Sequence, residues 1–176
     1  MQSKEVKRLT LSAMLFAMGI LLPFLTGQIP EIGNMLLPMH IPVLLAGFAA
    51  GPLWGLAVGA SLPIVRSLIF SRPVLFPSAV AMAAELATYA FVVGILYSKM
   101  KKSPFSVYFS LVAAMIAGRV VWGGVMALLM LGGVEFGWGI FISSAITEAI
   151  PGIIIQLVLI PIIILALRRS KLWDFD

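Results

Sequence analysis

The segment Lys4–Gly27 reads KEVKRLTLSAMLFAMGILLPFLTG, with Lys4, Lys7 and Arg8 followed by an apolar run from about Leu9 to Leu25 that no charge interrupts. A membrane-crossing helix needs roughly 20 mostly apolar residues, so this segment predicts a first span. Lysine and arginine collect in cytoplasmic connections, which puts the basic start inside the cell. A basic start before an apolar run is also the form of a signal peptide. Here no small-residue cleavage site follows at Leu21 to Gly27 and the run is long, so a retained helix is expected.

Cutting the remaining apolar runs at charges, Pro and Gly predicts further spans at about Met35–Ala50, Leu53–Phe70, Pro77–Tyr97, Phe105–Leu131 and Trp138–Leu167. The Gly51-Pro52 pair makes the turn between the second and third. Two more basic clusters, Lys99, Lys101 and Lys102 and then Arg168, Arg169 and Lys171, fall on the same side as the first. The opposite connections carry Glu31, Arg72 and Glu135. The expected fold is therefore all-α: a compact bundle of six transmembrane helices forming a single domain over residues 1–176, with both termini cytoplasmic.

Composition agrees. The chain is 61% hydrophobic and 11% charged, with a mean hydropathy of +1.12, and so few charges can cover only the ends of a lipid-embedded bundle. The net charge of +5 is concentrated beside the apolar runs, which points to membrane topology and away from nucleic acid. Without cysteine, a disulfide framework and a thiolate metal site are both excluded.

Ionisable groups inside a bilayer are costly, about 2.5 to 3.5 kcal/mol at a helix centre, so those retained are candidate functional residues. His40, Arg66, Glu85, Arg119 and Glu148 are such groups. With the assigned directions, Glu85 and Glu148 lie roughly 12 to 15 Å below the outer ends of their helices, and all five can meet in the outer half of the bundle. Tyr89, Trp122 and Ser144 share helix faces with Glu85, Arg119 and Glu148. Aromatic walls with a few orienting polar groups are how small-molecule sites are generally built. Asn34, ahead of the second span, and Arg72, in the Ser71-Arg72-Pro73 connection, complete the substrate-binding candidates. Alternative readings stand beside each: the four charges can serve as structural ion pairs, His40 between Pro38 and Pro42 as an interfacial hydrogen-bonding residue, and Arg72 as a solvated loop residue.

Small residues allow close packing in lipid. Gly47, Gly51, Gly55 and Gly59 recur every four positions, and the turn between them favours packing within the chain. Ala13 and Ala17 form an AxxxA stripe near the start of the first helix, suited either to internal packing or to another protein's helix.

The six-helix bundle, the Ala13–Ala17 stripe and the stretch Met35–Phe48 (MLLPMHIPVLLAGF) followed by Gly51-Pro52-Leu53-Trp54-Gly55 resemble the substrate-binding S component of an energy-coupling factor (ECF) vitamin transporter. The likeness is to the group that includes riboflavin, folate and pantothenate carriers, and most to the pantothenate type. It implies a vitamin pocket in the outer half and a multi-pass protein of a prokaryotic cell membrane. It also implies that Ala13 and Ala17 face a transmembrane coupling protein, the T component, which binds two cytoplasmic ATPases. The chain has no G-x-x-x-x-G-K-[ST] phosphate loop, so ATP would be used by those partners, and no cofactor or metal is expected in the chain itself. Two arginines and a histidine suit a substrate carboxylate, which favours pantothenate. Pyridoxine, hydroxymethylpyrimidine, folate and riboflavin are the alternatives. With a single His, no Cys and no HExxH, no catalytic set can be assembled from recognised parts. A stand-alone secondary carrier is the remaining rival, against which stands the lack of paired halves with broken helices.

Overall fold

The computed structural model describes residues 2–26, 36–130 and 150–169. These form α1 (Gln2–Leu21), extended by a 3-10 turn (Leu22–Thr26), α2 (His40–Ala50), α3 (Pro52–Phe70), a π turn (Leu75–Ala79) leading into α4 (Val80–Lys99), α5 (Pro104–Met130) and α6 (Ile150–Arg169). Among the described residues there is no strand. Five helical segments are long and apolar enough to cross a membrane, and α2 is a shorter apolar helix.

Proline sets several boundaries. Pro23 brings no N–H to the carbonyl one turn back, and there the α-helix gives way to the 3-10 turn. The second span was expected from Met35, which lies outside the described residues; α2 begins at His40 and has 11 residues, a rise of about 16 Å. Leu37, which precedes Pro38, sits at φ 49, in the left-handed region, which interrupts right-handed helix before α2. Pro42 falls in the first turn, where its missing N–H costs nothing. Phe76 is extended, as proline at the next position favours, so regular helix starts at Val80 instead of Pro77. Gly51 at φ 94 turns the chain and Pro52 opens α3. At the start of α5, Ser103 and Ser106 each donate a backbone N–H to the other's hydroxyl, at 3.1 and 3.2 Å. The sixth span was expected over Trp138–Leu167. Its part from 150 onward is α6, while 138–149 lies outside the described residues.

Burial is organised around α2, in which every residue except Ile41 is buried. It packs against α1, α3, α4 and α6, and α4 packs in turn against α3 and α5. On α5 the exposed side chains Phe105, Phe109, Val112, Ile116 and Val120 run down one face, while Val107, Leu111 and Ala114 are buried on the other. Large apolar groups thus face outward, as lipid requires.

Glycine makes the tight approaches. A Cβ on Gly47 would strike the Ala90 carbonyl, one on Gly55 would lie 2.7 Å from Gly47 Cα, and one on Gly59 would lie 2.6 Å from the Leu86 carbonyl carbon. The four-residue glycine spacing therefore serves packing within the chain, with α2 and α3 both pressed onto α4.

The helix ends sort into two levels. Arg168 Nη2 donates to the Lys102 carbonyl at 2.8 Å, Trp54 Nε1 donates to Glu5 at 3.2 Å, and Arg8 and Lys102 border one cavity. The three basic clusters are thereby represented at one end of the bundle.

Gly59→Leu should lower the thermal unfolding midpoint in detergent, on the scale of about 1–3 kcal/mol for overpacking against a backbone that cannot retreat. Gly124→Ala, where an added Cβ meets nothing within 4 Å, should leave the midpoint unchanged or higher.

Candidate functional site

Glu85 is the centre of the polar interior. Its side chain is 2% exposed, a placement that is costly for a carboxylate without partners. Tyr89, one turn along α4, donates its hydroxyl to Glu85 Oε1 at 2.9 Å. Arg119 of α5 reaches the same oxygen with Nη1 at 3.1 Å. His40, at the first position of α2, places Nε2 3.9 Å from Oε2, and its own side chain is 2% exposed. The His40 and Tyr89 rings lie 5.5 Å apart between centroids. Gly118 completes the arrangement: a Cβ there would collide with the Tyr89 ring and lie 3.1 Å from the Glu85 carbonyl. The glycine thus lets α5 come close enough for Arg119 to reach the carboxylate.

Donors exceed acceptors in this group. Arg119 Nε and Nη2 and both ring nitrogens of His40 are buried without a hydrogen-bond partner among the described residues. Nε and Nη2 form one edge of the guanidinium, the edge that grips a carboxylate side-on. Arg119 is 17% exposed at its side chain; among the described residues it is held by Nη1, and that edge has no partner.

The structure therefore brings together His40, Glu85, Tyr89 and Arg119. Trp122 lies one turn beyond Arg119 and is half-buried. Arg66 is placed elsewhere. It is buried, its Nη1 donates to the Ile20 carbonyl near the end of α1, and its guanidinium lies 5.7 and 5.3 Å from the centroids of Phe24 and Phe70. The expected meeting of Arg66 with the other charges is replaced by a clamp between α1 and α3. A cation there finds a carbonyl near a helix end and two π faces. Arg72 is exposed in the connection after α3. Asn34, Ser144 and Glu148 lie outside the described residues.

Charge-based reading passed over Gln156. It is buried, and neither its amide nitrogen nor its oxygen has a hydrogen-bond partner among the described residues. It stands on α6, which packs against the α2 and α5 that bear His40 and Arg119. Its signal in the sequence is that it is the one amide in an otherwise apolar span. Ala13 and Ala17 are exposed on α1, on the face away from the buried Ser12, Leu15 and Gly19.

A model of the family described as "ECF transporter, substrate-specific component" matches residues 7–164. The chain belongs to that family. No curated protein and no solved structure matches it. As an ECF substrate-specific component, or S component, it is a multi-pass membrane protein and a substrate-binding part of a vitamin-uptake system. The family is one of transporter components and not of enzymes.

Because Arg119 neutralises a buried carboxylate, Arg119→Met should destabilise the S component by about 3–5 kcal/mol. The double variant Glu85→Gln with Arg119→Met should recover much of that loss, since no unpaired charge remains. Unfolding midpoints of the two single variants and the double variant in detergent check this coupling.

Proposed function

We propose that this S component captures a vitamin bearing a carboxylate, with pantothenate the favoured substrate. The observation that carries the reading is the Nε–Nη2 edge of Arg119, buried near the Glu85 group without a hydrogen-bond partner among the described residues, while Nη1 is held by Glu85. A carboxylate would take that edge in paired hydrogen bonds, and a hydroxyl or amide of the same substrate would satisfy His40. Tyr89, Trp122 and Gln156, with Asn34, Ser144 and Glu148, are the further binding candidates, and Arg66 and Arg72 are kept as outer contributors. Pyridoxine, hydroxymethylpyrimidine, folate and riboflavin are the alternative substrates, and a stand-alone secondary carrier the alternative mode. A neutral heteroaromatic vitamin leaning on Glu85 would compete with Tyr89 and Arg119, which already occupy Oε1. That weighs against pyridoxine and hydroxymethylpyrimidine.

On this reading six helices cross a prokaryotic cell membrane, both termini are cytoplasmic, and the pocket opens outward. The basic clusters support that orientation. Capture needs no cofactor in this chain. ATP is used by two cytoplasmic ATPases, and a T component connects them to the exposed Ala13–Ala17 stripe, where small side chains admit a close helix.

Arg119→Lys separates binding from stability, because lysine can keep the charge opposite Glu85 while losing the fork. Pantothenate affinity, measured by equilibrium binding on the purified chain, should fall by about tenfold to a hundredfold, with the unfolding midpoint little changed. Unaltered affinity would remove Arg119 from the site. Ala13→Trp and Ala17→Trp should leave equilibrium binding intact and stop uptake by cells carrying the complete transporter. Uptake that persists would end the docking assignment.

A further inference from the structure

At the basic end of the bundle, lined by none of the residues of the Glu85 group, a cavity of roughly 110 Å³ opens between α1, the α2–α3 turn and the end of α4. That is below the roughly 300–1,000 Å³ of small-molecule pockets, too small for a vitamin and of the size of a single phosphate group. Arg8 and Lys102 border it, with Tyr97 and Ser98 on one wall and Phe48 and Pro52 on another. Arg8 Nε is buried without a hydrogen-bond partner among the described residues. The Lys102 ammonium stands 4.7 Å from the centre of the Tyr97 ring, and its backbone carbonyl is fixed by Arg168. The nearby acid, Glu5, already accepts from Trp54 and from Arg8 Nη1.

Two cations of different kinds on an apolar-walled recess suit a phosphate: the guanidinium supplies directed donors and the ammonium a point charge. The side chains next in sequence to the lining, Leu9 after Arg8 and Leu53 after Pro52, are exposed and apolar, offering a surface on which acyl chains can lie. We propose that this cavity is a phosphate-binding site, clamped by Arg8 and Lys102, for an anionic lipid headgroup of the phosphatidylglycerol kind. Basic recesses between helices at a membrane surface hold such headgroups through charge and through the apolar contact beside it. The site is independent of the vitamin-binding reading.

Native mass spectrometry of the full-length protein in detergent, supplied with phosphatidylglycerol or phosphatidylcholine, tests the site. The wild-type chain should retain phosphatidylglycerol over phosphatidylcholine by about tenfold, and the variant Arg8→Gln with Lys102→Gln should lose that preference. Ser98→Phe, which fills the rim and leaves every charge in place, should lose it as well, so the result does not depend on the doubly substituted chain folding well. Lys101→Gln removes a single positive charge from outside the cavity and should change nothing. Retention that survives excess inorganic phosphate identifies the lipid as the source, and displacement identifies a free phosphate at the same clamp. Equal retention of the two lipids by the wild-type chain would overturn the proposal. So would an undiminished preference in the Ser98→Phe chain, or a loss in Lys101→Gln as large as in the double variant.

Discussion

The polar interior of this protein depends on one carboxylate that lipid cannot solvate. Glu85 is buried on α4, where Tyr89 donates to one oxygen, Arg119 stands against the same oxygen and His40 stands at the other. Those partners come from three helices, so the pairing also fixes the relation of α2, α4 and α5. Removing the carboxylate would loosen that relation. Removing Arg119 would leave a charge with nowhere to go.

Such pairing requires backbones to approach more closely than ordinary side chains permit. Gly118 admits the Tyr89 ring, and Gly47, Gly55 and Gly59 let α2 and α3 settle on α4. In lipid there is no hydrophobic force pressing helices together, so packing and hydrogen bonds must supply the association. Glycine contacts and the Glu85 group are two parts of one solution. The first brings helices near enough for the second to form, and the second gives the contact a direction and register.

Much of this was legible in the sequence, for identifiable reasons. Among the described residues, α3 and α5 each begin one residue before the limit expected from apolar length cut at Pro, Gly and charge. Glu85 with Tyr89 and Arg119 was accessible because helical spacing and depth along a span can be counted. The exposure of Ala13 and Ala17 required the packed bundle, since AxxxA spacing is the same on a buried face. Arg66 shows where depth fails: its level was readable, but not the direction of its side chain. Phe24, Phe70 and the end of α1 decided that direction. The start of α2 was missed because hydropathy does not register the left-handed backbone at Leu37. Gln156 was missed because it carries no charge.

The two ends of α2 place unlike demands on one short helix. His40 at its start belongs to a cluster that must stay polar within lipid, whereas Gly47 near its end must present bare backbone to Ala90 and Val93. Because nearly all of α2 is enclosed, neither end can adjust without displacing neighbours. This rigidity bears on the proposed capture of a carboxylate. An arginine already anchored through Nη1, in one group with a histidine at the start of an enclosed helix, has given up its freedom before any substrate arrives. Less ordering then remains to be done on binding, so the same pair of hydrogen bonds contributes more affinity than it would from mobile side chains.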